Sequence, residues 1–412
     1  MTATTSASAD ATLLELLLDP AGRRDPYPRY RRLREEAPVL RTAFGPLVLS
    51  RYEDCQAALR DPRLGRGNRG VGLMGGATGQ VSEARQRMAE TQSLTMLFAN
   101  PPEHTRLRRL VSREFTPGRV DALRPAVVAM VDGILDRMAD EAQVDVMAVL
   151  AFPLPVTVIG ELLGIPEADR PGFQPLVQRA VVSLEVNATD EQLEDAQLAA
   201  AEMAVYFLDL LAERRARPAD DLLSALATAA DADDRLTEEE VVATAILLFA
   251  AGFETTTNLI GNGLWAFLSH PDQLERLRSE PGLVASAVEE VLRFDSPVQV
   301  NGRSALTAAH VAGEPLAADD FVICLQGAAN RDPDRFPDPD RFDIGRDNGP
   351  PLSFGSGIHH CLGAALARME GQVVFRRLVE RFSRIDPLVE QPEQRTGLTL
   401  RGLATLPVSV AQ

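Results

Sequence analysis

The feature that most narrows what this 412-residue chain can be is the stretch Pro350-Pro351-Leu352-Ser353-Phe354-Gly355-Ser356-Gly357-Ile358-His359-His360-Cys361-Leu362-Gly363. It leads into a helical pattern over Ala364–Phe382. A lone cysteine is most often a small buried hydrophobe. Here the surroundings argue otherwise. Gly355 and Gly357 let the backbone take conformations that other residues avoid. Cys361 then falls at or near a helix start, where unpaired N–H groups and the helix dipole favour a thiolate. One thiolate does not make a structural zinc site, which takes about four protein ligands. It can be the single protein ligand of an iron whose other ligands come from a flat macrocycle. Gly363 keeps the helix start bare enough for such a group to lie against it.

The stretch resembles the haem-binding signature of the cytochrome P-450 superfamily, Phe-Gly-x-Gly-x-His-x-Cys-x-Gly, at Phe354, Gly355, Gly357, His359, Cys361 and Gly363. The resemblance implies haem b (iron protoporphyrin IX), with Cys361 as the axial metal ligand and Phe354, Gly355, His359 and Gly363 around it.

Composition excludes some alternatives. Apolar residues make up 45% of the chain, enough for a sizeable core. The net charge of -17 argues against nucleic acid as a general partner. Cys55, Cys324 and Cys361 show no paired spacing, which fits a reducing, cytoplasmic setting. The first residues lack a basic segment, and the apolar patch Leu13–Leu18 is broken by Glu15, so neither a signal peptide nor an anchor is expected. The longest apolar run, Val241–Phe253, is shorter than the roughly 20 residues that span a bilayer. No membrane association is expected.

Taken in order, residues 1–20 read as a mobile tail closed by Asp19-Pro20, and 21–412 as a single domain. Pro26–Glu36 and Tyr52–Arg60 read as short helices, with a hairpin between them over Val39–Thr42 and Pro46–Ser50. Leu64–Asn100 carries Gly65, Gly67, Gly70, Gly72, Gly75, Gly76 and Gly79, and a long loop of this kind reads as a lid. Pro101-Pro102 opens a helix on which His104 and Arg108 share a face. In the resembled family a helix of this pattern supplies a His and an Arg to the haem propionates. Asn100 stands where many bacterial relatives have Asp. Val120–Ala230 reads as helical throughout, with breaks near Gly164-Ile165-Pro166, Pro171-Gly172 and Arg217-Pro218. By the resemblance, Phe173–Ala204 roofs a substrate pocket.

Leu236-Thr237-Glu238-Glu239-Glu240-Val241 carries a helix start. Thr237 can cap, Glu240 can complete a capping box, and Leu236 can staple onto Val241. The helix can run to about Ser269. Inside it, Ala251-Gly252-Phe253-Glu254-Thr255-Thr256 is poor helical text. Gly252 costs about 1 kcal/mol against alanine. Glu254 places a carboxylate beside an apolar run, and Thr255 can bond back to the carbonyl of Ala251 and bend the helix. This hexad resembles the family's Ala-Gly-x-Asp/Glu-Thr-Thr oxygen-activation motif. The match implies that Thr255 hydrogen-bonds water or hydroperoxide, and that Glu254 relays protons, with Ala251 and Gly252 opening the helix beside them.

Further along, Glu290 and Arg293 match the family's Glu-x-x-Arg pair, which the resemblance completes with Arg341 as a structural charge triad. It also sends Arg303 to a propionate, and assigns Leu247, Ala250, Gln299, Val300, Asn301, Leu398 and Thr399 to the substrate pocket. His310–Leu316 and Phe321–Leu325 read as small-sheet strands, and Leu398–Val410 as a last hairpin. The expectation is a mainly α fold with a minor β region, a triangular helical prism with one long helix over haem. The function implied is monooxygenation: one oxygen atom of O2 enters a medium or large apolar metabolite, by hydroxylation or epoxidation, in secondary metabolism. Ferredoxin and ferredoxin reductase are the expected electron donors, and the protein is expected to be a monomer. Their docking face would lie behind Cys361, near Arg108, Arg109 and Arg113. A peroxide-driven oxygenase of the same fold and a non-catalytic haem sensor or carrier are the alternatives. The Glu254-Thr255 pair argues against both.

Overall fold

A computed structural model describes residues 3–66, 82–141, 143–185, 187–230, 236–347 and 349–412. Its organising element is the central helix Glu238–Ser269, 32 residues long and therefore about 48 Å from end to end. The start is where the sequence puts it. Thr237 accepts from Glu240 N at 3.2 Å, while the Glu240 side chain accepts from Thr237 N at 2.9 Å. Such a cap is worth about 1 kcal/mol. The helix passes a length-and-hydropathy test for a membrane span. Its buried residues, however, knit together two core clusters of the fold. Helices Pro117–Ala139, Val284–Phe294 and Ala364–Arg381 build one cluster with its C-terminal half. Helices Pro153–Leu162, Arg170–Ala180, Asp190–Ala216 and Leu222–Ala230 build the other with its N-terminal half.

The minor β region is a five-stranded sheet in the order Val39–Arg41, Leu47–Leu49, Phe321–Leu325, Val300–Ala305, Leu64–Gly65. Leu47 pairs with Val322 in the one parallel ladder of that sheet, and Val322 pairs on its other side with Arg303. This register sets the strand that lines the site, Val300–Ala305, against a strand buried nearly throughout.

Several expectations are corrected. The first residues are not a loose tail: Ala3–Leu18 is a helix. Ala9, Leu13, Leu16 and Leu17 recur at helical spacing and are buried against Tyr30 and Leu33 of the Tyr27–Glu36 helix. Within the supposedly all-helical Val120–Ala230, Gln143–Asp145 is a strand paired with Pro407–Ser409. Pro171-Gly172 is no break but the first turn of Arg170–Ala180, where proline is tolerated. The last hairpin joins Arg384–Pro387 to Pro407–Ala411. The segment from Leu398 runs as an extended loop instead, bridged to Val298 through Leu400. Of the glycine-rich stretch proposed as a lid, residues 67–81 lie outside the described residues, and Glu83–Ser93 is a helix.

Candidate active site around Cys361

The cysteine loop is shaped by backbone geometry. Gly355 and Gly357 have φ of +69° and +74°. A Cβ on Gly357 would stand 2.5 Å from Leu59 O, so the loop lies flat on the Tyr52–Arg60 helix only with glycine there. Arg60 Nε donates to Ser356 Oγ at 2.9 Å, and Cys361 N donates to Phe354 O at 2.9 Å. The Phe354 ring lies under Arg368, 4.5 Å from guanidinium carbon to ring centre. The loop ends at Gly363, which starts the Ala364–Arg381 helix.

Cys361 keeps accessible surface, and it lies in the wall of the main cavity. Burial pushes its thiol up, while the Gly363 N–H, Arg108 and Arg368 pull the other way. Proximity to the helix start alone therefore does not produce a thiolate, because desolvation outweighs it. Bonding to a metal cation does.

Above the loop, arginine and histidine hydrogen-bond donors converge. His104 and His359 stack with ring centres 4.3 Å apart, and each has a buried Nε2 with no partner. Arg303 is 1% exposed, and among the described residues its side chain bonds to Asn301 Oδ1 and to Gly302 O, the latter at 2.9 Å. Arg108 Nη2 donates to His360 O at 2.6 Å. A further donor, Arg66, was not anticipated. It donates to Gly302 O at 3.1 Å and leaves a buried Nε unpartnered. Asn100 holds it there, accepting from Arg66 N at 2.8 Å and donating to Arg66 O at 2.6 Å. Neither Arg66 nor Arg303 forms an ion pair with a carboxylate among the described residues. The result is a strongly positive pocket. Burial, Arg66, Arg303, His104 and Arg108 together depress His359 to about 2. His104 is lowered by burial, Arg108 and Arg66. A group carrying two carboxylates would satisfy these donors at once. Haem, with its two propionates, fits that description and the single sulfur beneath.

Across the cavity runs the central helix, with Leu247, Ala250, Ala251, Gly252, Glu254 and Thr255 in its wall. The helix is continuous here. Thr255 Oγ1 donates back to Ala251 O at 2.7 Å, and a Cβ on Gly252 would press within 3.3 Å of Ile159. Glu254 is 2% exposed, ion-paired with Arg395, and accepts from Asn258 Nδ2 at 3.3 Å; its Oε2 is buried without a partner. It also lines a second, smaller cavity of about 390 Å³ shared with Arg395, Glu393 and Arg23. Glu254 thus stands in the partition between the two.

The main cavity measures about 1380 Å³. Phe354, Gly355, His359, Cys361, Gly363, Arg303, Arg108, Val300, Asn301 and Thr399 all line it, as the sequence anticipated. Gln299 and Leu398 do not. Gln299 is buried in the core, donating to Ser296 O at 2.8 Å and to Tyr27 Oη at 3.2 Å. Its neighbours Val298 and Val300 take the cavity side of the extended chain. Leu398 packs among Leu13, Tyr30 and Leu33 of the N-terminal cluster; Leu400 takes the wall position instead.

The charge triad is also reassigned. Glu290 and Arg293 are both buried and joined by two bonds of 2.7 and 2.8 Å. The third member is Arg346, whose Nε lies 3.2 Å from Glu290 Oε2. Arg341 has a side chain 65% exposed and contributes only its carbonyl, to Arg293 at 3.1 Å and Arg346 at 3.0 Å. Asp343 N donates to Glu290 Oε1 at 2.8 Å, and the turn it begins brings Arg346 back to the carboxylate.

The chain is similar to known proteins along most of its length. The cytochrome P-450 family model matches residues 192–409, more than half of the chain. Cytochrome P-450 monooxygenase PikC of Streptomyces venezuelae is 42% identical over 394 residues, covering 93% of this chain and 91% of its own. The 6-deoxyerythronolide B hydroxylase of Saccharopolyspora erythraea is 40% identical over 395 residues, covering 93% and 96%. Among solved structures, the cytochrome P-450 BioI, in complex with hexadec-9Z-enoic acid ligated acyl carrier protein, superposes with a TM-score of 0.88 at 34% identity, covering 95% of this chain and all of that one. On this identity and coverage the chain belongs to the cytochrome P-450 family and is a monooxygenase, an oxidoreductase whose iron is held by a cysteine thiolate.

Proposed function

We propose that this monooxygenase inserts oxygen into a medium or large, mainly apolar metabolite of secondary metabolism, by hydroxylation or epoxidation. The observation that carries the reading is the cavity between Cys361 and Thr255, about 1380 Å³ for haem and substrate together. Leu94, Ile246, Leu247, Val298 and Leu400 lie in its walls. The kinship with a hydroxylase named for 6-deoxyerythronolide B supports a substrate of that size and polarity.

Haem b is the proposed cofactor, with Cys361 on its iron and with His104, Arg108, Arg303, His359 and Arg66 on its propionates. When bound it supplies reductive activation of dioxygen. The protein's part is then to hold, orient and exclude. Apolar walls keep bulk water from the reacting face. Ala251 leaves room beside the helix, and the Thr255 hydroxyl, whose proton goes to Ala251 O, can accept a hydrogen bond from a water or hydroperoxide there. Glu254 reaches both cavities, so it is the group placed to carry protons inward from the smaller one. Electrons are proposed to come from a ferredoxin and its reductase, docking behind Cys361 where Arg109 and Arg113 are exposed. The chain is proposed to act as one monomeric, cytoplasmic domain that includes the N-terminal helix Ala3–Leu18.

The proton assignment is tested by Thr255→Ala. The fraction of electrons recovered in product should fall by about tenfold or more, with hydrogen peroxide released instead. Unchanged coupling would remove Thr255 from the reaction.

A further inference from the structure

One half-buried carboxylate is not among the residues assigned to haem binding or proton delivery. Glu185 closes the short helical turn Val181–Leu184 that follows the roof helix Arg170–Ala180. Its carboxylate reaches over the C-terminal loop and accepts three consecutive backbone N–H groups: Leu398 at 2.8 Å and Thr399 at 2.8 Å on Oε2, and Leu400 at 3.1 Å on Oε1. Three successive amides aimed at one carboxylate form a nest for an anion. Burial pushes the Glu185 carboxyl up and the three bonds pull it back.

The clasped loop is held on its far side as well. Gln299 N donates to Thr399 O at 2.9 Å, and Arg401 N donates to Pro297 O at 2.9 Å. Thr399 and Leu400 therefore form a wall suspended between the roof and the strand that carries Val300. Glu185, Leu400 and Glu254 line both the main cavity and the smaller one, so the clasp lies along their partition. Gly397 marks how tight the fit is: a Cβ there would stand 2.4 Å from Glu185 Oε1.

We propose that Glu185 is a positioning residue for substrate recognition, fixing the Thr399–Leu400 wall from the roof and so setting which large ligands the cavity accepts and how fast they exchange. The proposal deepens the monooxygenase reading, and only its ligand-binding arm depends on haem. Two measurements on the full-length, haem-loaded protein test it. The first is hydrogen exchange at the amides of Leu398, Thr399 and Leu400. Glu185→Ala should speed exchange at these three by about tenfold or more, and Glu185→Gln by less, since its amide oxygen still accepts. Gly397→Ala should reproduce the effect with Glu185 intact, which covers the case of a Glu185→Ala protein that folds poorly. Exchange in the central helix should not move.

The second measurement compares imidazole with econazole, a small and a bulky azole that both bind haem iron through nitrogen, followed by the Soret shift. Econazole dissociation should accelerate about fivefold or more in Glu185→Ala and Gly397→Ala, with imidazole unchanged. A wild type that takes imidazole but not econazole, beside a variant that takes both, gives the same support. Protected amides in Glu185→Ala overturn the proposal, as do parallel changes for the two azoles or no econazole binding in any form. If imidazole shifts nothing in any form, the haem reading fails, and the exchange arm still decides the clasp.

Discussion

The floor of the cavity and its roof are built differently. The floor is written in short, local text: a glycine-shaped loop with one cysteine, a His and an Arg on one helix face, and a buried Glu–Arg pair behind them. It holds a group of fixed shape, so residues close in sequence can do the work. The roof and side walls are held by contacts distant in sequence, such as Glu185 on the amides of Leu398–Leu400 and Arg395 on Glu254. They face a ligand that differs between relatives, and no short pattern names them.

If the floor is the rigid part, breaking its charge core should cost most. Glu290→Ala leaves Arg293 and Arg346 buried without their carboxylate, and should destabilise the protein by about 3–5 kcal/mol in denaturant unfolding. Arg341→Ala should stay within about 0.5 kcal/mol of wild type, because its side chain is exposed. Equal losses from the two would mean that the triad has been misassigned.

The next effect sharpens where the floor ends. Arg66 sits at its rim, where the described chain stops before the glycine-rich stretch. Arg66→Ala should weaken haem retention by about ten- to a hundredfold, the scale of one hydrogen bond to a charged group, measured by haem transfer to an acceptor apoprotein. Retention at the wild-type level would place Arg66 among the walls rather than among the propionate cations.

A further effect is read as a slope. Glu370, on the helix that follows the cysteine loop, is buried, and desolvation alone pushes its carboxyl up to about 8 from 4.5. Between those values the unfolded chain has released a proton that the folded chain keeps. Stability should therefore be full below about pH 4.5, fall by up to about 1.4 kcal/mol per pH unit as pH rises through 8, and level off above. Glu370→Gln should flatten that part of the stability curve. An unchanged slope would show that Glu370 is already ionised in the fold.

Much of the floor could be read directly. Thr237 and Glu240 form the capping box their spacing implies, because capping is a matter of three residues. Cys361 and Arg303 line the cavity, and His104 stacks on His359 beside it. The misses share a cause: each depends on which side a flexible or extended segment turns. Gln299 turns into the core by alternation along its extended segment, and Leu398 because the loop there packs it against the N-terminal helices. Arg341 gave way to Arg346, because a turn lies between them. Arg66 and Glu185 carried no signal beyond being single charges beside loops. The N-terminal helix did carry one. Leu13, Leu16 and Leu17 follow Ala9 at helical spacing, but Glu15 in their midst made the run look broken, although it points outward to pair with Arg29 at 3.0 Å.

The central claim is that Cys361, and neither of the other two cysteines, ligates the iron beneath a cavity closed by the central helix. The most direct measurement is the absorption difference spectrum of the reduced protein with and without carbon monoxide. Wild type, Cys55→Ser and Cys324→Ser should all show the red-shifted Soret band of sulfur ligation, and Cys361→Ser should lack it. A wild type without that band, or a Cys361→Ser variant that keeps it, would contradict the account.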